Sequence, residues 1–234
     1  MKSKKSLFTG IIKTVLLLLT QLSISACNED GMTAEQVIHR FIKVSGDEND
    51  LNKLKSTEAK GEGTVNGDTV HVTVIKIFPK KIYERMESKK FGIIETIYSN
   101  GRYLIKKDGK TIPAKDSMGV ELSAVNSFPL ADMAYEKLGY QMRLIPSDET
   151  NDYKVQLISP SGNKTIKYYD KDNGYLTKVI YPDNSISYFS NYITTKGFTF
   201  SRIETSVGSN NFKGQVVISQ IILNPKIDSS MFNF

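Results

Sequence analysis

The feature that most constrains the fold is a long series of short apolar–polar runs separated by turns. Asn100-Gly101 and Asp108-Gly109 are typical of two-residue hairpin turns, because both central positions of such a turn need a positive φ. The pattern continues in the second half of the chain, where strands are predicted at residues 140–145, 153–159, 164–170, 175–181, 185–192, 198–207 and 215–223. The sequence therefore predicts an antiparallel meander rather than a parallel sheet with crossover helices.

The predicted strands number about eleven, and a sheet of that size must curl. The twist between neighbouring strands brings such a sheet towards a barrel with a concave interior. We therefore predict a mainly β fold, with a single curved antiparallel sheet that forms an unclosed barrel.

One run changes its alternation within the strand. Val70, Val72 and Val74 have one parity, whereas Ile75 and Ile77 have the other. This change predicts a bulge, or a strand that leaves the edge of the sheet.

An N-terminal helix precedes the strands. Thr33 and Gln36 stand at the spacing of a capping box, and Gly46 is a natural stop. The apolar residues between them fall on one helical face, which consists of Val37, Ile38, Phe41 and Ile42. Residues 47–54 are predicted to form one further helical turn.

The middle of the chain, residues 116–137, interrupts the strand pattern. We predict two short helices here, the second starting near Pro129, which cover the concave face of the sheet. Short helices need an apolar surface to pack on. The candidate ligand-contacting residues on this cover are Val120, Val125, Phe128, Leu130 and Met133.

The first residues have the form of an export leader. Three lysines precede an apolar stretch, and the small residues Ser25 and Ala26 stand directly before Cys27. A membrane-spanning helix would need about 20 apolar residues, but Lys13 interrupts this stretch. The order of a branched apolar residue, two small residues and cysteine resembles the bacterial lipobox, which implies cleavage of residues 1–26 and lipidation of Cys27. Residues 27–32 then form a polar tether to a domain over residues 33–234.

The residue after the cysteine indicates the membrane to which the protein is sorted. Asn28, and not aspartate, follows Cys27. In bacteria that sort lipoproteins, aspartate at this position favours retention in the inner membrane. We therefore expect a lipid anchor in the outer membrane, and the sequence leaves open whether the domain faces the periplasm or the cell surface.

Charge argues against nucleic acid as a partner. Without the leader lysines Lys2, Lys4, Lys5 and Lys13, 27 of the 31 Lys and Arg residues remain against 25 acidic residues. They form no clustered basic stripe of the kind that binds phosphate backbones. The single cysteine also excludes a disulfide within the chain.

No catalytic or metal-binding motif is visible in the sequence. His39 and His71 are the only histidines, and neither has cysteine or carboxylate partners at ligand spacing. No nucleophile elbow, phosphate loop or zinc-protease motif is present. We therefore expect a monomeric protein that is not an enzyme and has neither cofactor nor metal.

The order of these parts resembles the Lol family of bacterial lipoprotein carriers and receptors (LolA/LolB-like, outer-membrane lipoprotein-sorting proteins). The resemblance rests on the first helix, residues 37–43, and on three later segments at residues 159–170, 192–200 and 224–232. It implies an unclosed barrel whose helices cover an apolar cavity for acyl chains. In that system the membrane receptor is lipidated and the soluble carrier is not, so Cys27 places the chain nearer the receptor.

Two functions follow from this sequence. The first is a membrane-anchored envelope lipoprotein that binds an acyl chain or a lipoprotein anchor in the half-barrel, with a role in outer-membrane lipoprotein sorting. The alternative is an envelope sensor or protein-interaction module with the same fold and a filled cavity. An open apolar pocket on the concave face would favour the first.

Overall fold

The computed structural model describes residues 31–112, 117–208 and 212–234. One compact unit spans Thr33–Phe234. The predicted leader, the lipidation site Cys27 and most of the predicted tether lie outside the described residues, as does Asp116 at the start of the predicted cover.

Thirteen strands form one antiparallel sheet within the described residues. Their order across the sheet is β6-β5-β4-β3-β2-β1-β13-β12-β11-β10-β9-β8-β7, so β6 and β7 are its edges and the sheet does not close into a barrel. The strands are β1 (Ser56–Val65), β2 (Asp68–Ile77), β3 (Lys81–Ser88), β4 (Gly92–Ser99), β5 (Arg102–Lys107), β6 (Lys110–Ile112), β7 (Gln141–Ile145), β8 (Asp152–Ile158), β9 (Lys164–Asp170), β10 (Leu176–Ile180), β11 (Ile186–Thr195), β12 (Phe198–Val207) and β13 (Lys213–Leu223).

The predicted class, a single open antiparallel sheet, is confirmed, but the predicted number of strands is too low. The two strands with the weakest sequence pattern are β1 and β6. Strand β1 carries Gly61 and Gly63 among charged residues, which hides its alternation, and β6 has only three residues. The predicted hairpin turns are present, since Asn100, Gly101, Asp108 and Gly109 all have positive φ.

The two halves of the sheet join where β1 pairs with β13. The register shifts between Lys60 and Gly61, so that Ser219 on β13 has no opposite residue. The backbones approach closely beside this bulge, because a Cβ on Gly63 would lie 1.8 Å from the carbonyl oxygen of Gln215. A bulge increases the local twist of a sheet, and the two glycines allow it here.

The bulge predicted in the run Val70–Ile77 is wrong. Strand β2 pairs without interruption with both β1 and β3. The parity changes because both faces of β2 are covered. Val70 is fully buried on the face that also carries Lys76, whereas Ile75 is buried on the opposite face.

The C-terminal segment covers this opposite face, which we call the outer face. Ile75 and Ile97 form a small core with Phe232, which ends the 3₁₀ helix Ser229–Phe232. Ile75 stands opposite Tyr83, and Tyr83 opposite Ile97, so one row of cross-strand neighbours forms this core.

Helices lie on the other face, which we call the inner face. Helix α1 (Ala34–Ser45) begins with the predicted capping box and ends at Gly46, and α2 (Glu48–Lys53) follows it. The ring of Phe41 packs on that of Tyr169, with 5.6 Å between ring centroids. The interrupting segment forms α3 (Ser117–Asn126) and the 3₁₀ helix Ala131–Met133, as two short helices were predicted.

Candidate ligand-binding cavity

A cavity of about 310 Å³ lies between α3, the 3₁₀ helix Ala131–Met133 and the inner face of the sheet. Strands β9 to β12 contribute one wall and the helical segment the other. Its apolar and aromatic lining consists of Phe41, Leu122, Val125, Pro129, Leu130, Ala131, Tyr135, Tyr140, Leu176, Val179, Tyr181, Phe189, Tyr192 and Phe200. The helices therefore leave an apolar space instead of filling the inner face.

The predicted ligand-contacting residues are distributed over three places. Val125 and Leu130 line the cavity. Met133 is buried and lines a neighbouring depression beside α1. Phe128 lies under the ammonium group of Lys137, and Val120 is half-buried on α3 away from the cavity lining. A contact of these residues with ligand stays a prediction.

The wall formed by the sheet was not predicted from the sequence. This wall includes Leu176 and Val179 on β10 and Phe189 and Tyr192 on β11, which are neighbouring strands of the sheet. Within each strand the two residues are three positions apart, so simple alternation would have assigned them to opposite faces. Only the fold shows that this face borders an open cavity and not a filled core.

A buried ion pair lies at the base of the cavity. The ammonium nitrogen of Lys167 is 2.6 Å from a carboxylate oxygen of Asp132, and both side chains are at most 4% exposed. The hydroxyl of Tyr169 donates to the other carboxylate oxygen. Burial raises the pKa of Tyr169 well above its usual range, so this phenol stays a neutral donor at physiological pH. The arrangement is locally neutral and holds the 3₁₀ helix against β9.

Helix α3 has its own polar attachments. The hydroxyl of Ser127 shares its single proton between the carbonyls of Pro79, in the β2–β3 connection, and Ala124. The side-chain amide of Asn163 donates to Glu121 at 2.8 Å. Burial favours the neutral form of Glu121, but hydrogen bonds from its neighbours outweigh it and lower the pKa of this carboxyl. The charged carboxylate thus fixes α3 to the β8–β9 turn.

The inner face becomes polar beyond Tyr181. The hydroxyl of Ser187 donates to Glu204 at 2.9 Å and lies 2.9 Å from that of Ser206. Lys76 lines the cavity at this end. Burial lowers the pKa of Lys76. Partial enclosure by the sheet raises the pKa of Glu84, whose side chain stays accessible to water.

Membrane-spanning helices and clusters of metal-ligating side chains are both absent from the described residues. Over residues 31–112, 117–208 and 212–234, no helix is long and apolar enough to cross a bilayer. The same residues contain no group of three or more His, Cys, Asp or Glu side chains placed to hold a metal ion.

Comparisons with known proteins give a match in structure but not in sequence. No protein-family model matches the chain. No curated protein matches it either.

Three solved structures share the fold. A LolA superfamily protein from Nitrosomonas europaea superposes with a TM-score of 0.60 at 10% identity, over 87% of this chain and 99% of that one. A putative outer membrane lipoprotein-sorting protein domain from Vibrio parahaemolyticus gives 0.54 at 10% identity, over 84% and 97%. A DUF1329 family protein from Desulfovibrio piger gives 0.52 at 10% identity, over 86% and 97%.

The similarity therefore extends over nearly the full length of each solved structure. At 10% identity it concerns the fold. The open sheet with an N-terminal helix is a LolA-like fold, which confirms the resemblance identified in the sequence.

Proposed function

We propose that this chain is a lipoprotein of the bacterial envelope that is anchored through acylated Cys27 and binds an acyl chain in its inner-face cavity. The observation that carries this proposal is the cavity itself, with apolar walls contributed by both the sheet and the inserted helices. Its volume of about 310 Å³ lies at the lower end of the range for small-molecule sites.

The energetics of such binding require no catalytic group. Each methylene that moves from water into the cavity contributes about 0.8 kcal/mol. About ten methylenes thus offer roughly 8 kcal/mol, from which the cost of ordering chain and protein is subtracted. Asp132 is engaged by Lys167 and Tyr169, which leaves it unsuited to act as a base. We infer a binding protein and not an enzyme.

The proposed anchor and the fold together suggest where the protein acts and what it binds. The Vibrio parahaemolyticus structure with the same fold is described as a lipoprotein-sorting protein domain. We propose an outer-membrane location and a ligand that is an acyl chain or lipoprotein anchor. The alternative, a sensor whose cavity is filled, is less compatible with the open space beside Leu122 and Val125.

A cavity-blocking variant tests the proposal. Leu122→Trp places a larger side chain into the cavity from α3, whereas Ala124→Trp adds the same side chain on the same helix away from the lining. Full-length protein extracted from its envelope in mild detergent is tested for binding of a fluorescent fatty acid. We expect binding by the wild type and Ala124→Trp, and at least about tenfold weaker binding by Leu122→Trp, since the lost contacts are worth 1.4 kcal/mol or more. Failure of the wild type to bind any acyl chain would overturn the proposal.

A further inference from the structure

Lys76 is a cation at the end of an otherwise largely apolar cavity. Its side chain is mostly covered and lines the same cavity as Tyr181. Among the described residues, no side chain or carbonyl forms a hydrogen bond or a close ion pair with its ammonium group. An ammonium group without a close partner in such surroundings is costly. A ligand anion at this position would remove that cost.

Two carboxylates lie beyond Lys76 on the inner face. Glu84 and Glu204 are the acidic groups whose charges act on Lys76. Glu84 lines a depression with Tyr103 and Tyr181, and Glu204 lines another with Ser187 and Tyr181. Since Tyr181 also lines the apolar cavity, the three spaces adjoin one another at this residue.

The polarity of the inner face therefore changes in a definite order. The apolar space comes first, Lys76 stands at its end, and the carboxylates of Glu84 and Glu204 follow beyond Tyr181. The other lysine of the lining, Lys167, is already paired with Asp132. A fatty acid would pair with Lys76 but would bring its own negative charge towards Glu84 and Glu204. A neutral acyl chain would leave Lys76 without a partner.

We propose that the cavity takes a phospholipid whose head group carries a primary ammonium, with an acyl chain in the apolar space, the phosphate at Lys76 and the ammonium at Glu84 and Glu204. This inference rests on the proposed acyl-chain binding. Phosphate and lysine form charge-assisted hydrogen bonds, as do ammonium and carboxylate, and such bonds are about twice as strong as neutral ones. Both ends of the zwitterion thus meet a group of opposite charge.

The test uses three soluble lipids with the same acyl chain. Lysophosphatidylethanolamine carries phosphate and ammonium, lysophosphatidylglycerol carries phosphate alone, and monoacylglycerol carries neither. Their binding to the full-length protein in mild detergent is measured by displacement of a fluorescent fatty acid. For the wild type we expect the ethanolamine lipid to bind about tenfold or more tightly than the glycerol lipid, as one charged hydrogen bond predicts.

Variants separate the two parts of the head-group site. We expect Lys76→Gln to weaken both phospholipids about tenfold and to leave monoacylglycerol unchanged, which also shows that the variant is folded. We expect the double variant Glu84→Gln/Glu204→Gln to weaken only the ethanolamine lipid. Lys196→Gln, at an exposed turn, is the matched control and should change none of them.

The outcomes distinguish this inference from the proposed function. Equal affinity of the wild type for all three lipids, or an unchanged Lys76→Gln variant, would overturn the head-group site while acyl-chain binding stands. If none of the three lipids displaces the probe and the probe itself does not bind, both the head-group site and the proposed function are wrong.

Discussion

Lys167 on β9 and Asp132 in the 3₁₀ helix form a buried ion pair, with 2.6 Å between the ammonium nitrogen and a carboxylate oxygen. The two residues are 35 positions apart in sequence, so the pair ties the inserted segment to the sheet. The Lys167 ammonium also lies 5.0 Å from the centroid of the Tyr135 ring. The pair therefore holds the 3₁₀ helix, which is part of the helical wall of the cavity, in place on β9.

Breaking this pair on one side should destabilise the domain strongly. Asp132→Ala leaves the buried charge of Lys167 uncompensated, which costs about 3–5 kcal/mol. Urea unfolding followed by circular dichroism measures the change in the free energy of unfolding. The control is Asp50→Ala, which removes the exposed pair with Lys53 and should cost less than about 1 kcal/mol. Equal effects of the two substitutions would show that the buried pair has no special role.

The junction of the two sheet halves should not accept a side chain at Gly63. A Cβ there would lie 1.8 Å from the carbonyl oxygen of Gln215, so the backbone must shift. We expect Gly63→Ala to lower the free energy of unfolding by about 1–3 kcal/mol or more. Gly214→Ala on the paired strand is the control, because its Cβ would find contacts of 3.4 Å and longer. Similar thermal unfolding of the two variants would contradict the close approach.

The C-terminal segment should contribute to stability through Phe232. This side chain is 3% exposed and packs with Ile75 and Ile97 on the outer face. We expect Phe232→Ala to cost about 3–5 kcal/mol. Asn233→Ala, at the exposed neighbouring position, should change the free energy of unfolding by no more than about 0.5 kcal/mol. A silent Phe232→Ala would mean that this segment does not cover the sheet in solution.

The sequence predicted those features that depend on local chemistry. The hairpin turns at Asn100 and Asp108 need residues that tolerate a positive φ, and both positions have one. The capping box of Thr33 and Gln36 is likewise formed within four residues. Such features do not require knowledge of the remaining fold.

The features that the sequence did not predict depend on which surfaces meet. The apolar residues on both faces of β2 indicated a bulge, because the cover of the outer face by Phe232 comes from far along the chain. A tyrosine on a strand suits a cavity wall and a core equally, because its ring is apolar and its tip is polar. In the structure Tyr181 and Tyr192 line the cavity, whereas Tyr168 is buried and Tyr188 is exposed.

The polar end of the cavity is a further case. Lys76, Glu84 and Glu204 stand on β2, β3 and β12, and each alone resembles a solvent-facing strand residue. Lys76 and Glu84 lie on adjacent strands, where Ile82 and not Glu84 is the direct partner of Lys76, and Glu204 comes from the other half of the sheet. Coulombic coupling of this kind arises from the fold and has no local signature in the sequence.

Lipidation of Cys27 stays a prediction, and substitution of this residue tests it. We expect Cys27→Ser to abolish labelling by a radioactive fatty acid and to prevent cleavage or release the domain from the membrane. Two or more acyl chains anchor a protein stably, so the wild type should resist a salt wash of the outer-membrane fraction. Ser25→Thr, which keeps the cysteine, is the control and should still be labelled. Label on Cys27→Ser would contradict lipidation at this site.

Helix α3 should be the part of the cavity wall that opens. Most of its described side chains are only half-buried, whereas Met133, Ala134 and Tyr135 after it are at most 5% exposed. Segments with few buried contacts open at low free energy. We therefore expect amide hydrogen exchange to be faster in Ser117–Asn126 than in Ala131–Met133, and slowest in strands β9 and β10.

An acyl ligand should slow this exchange. Leu122 and Val125 line the cavity from α3, so a bound chain adds contacts that the helix lacks without ligand. Strand β8, none of whose residues lines the cavity, is the internal reference and should not change. If α3 exchanges as slowly as β9 with and without a fatty acid, the inserted helices are a permanent part of the core, and the entry of a ligand from this side is excluded.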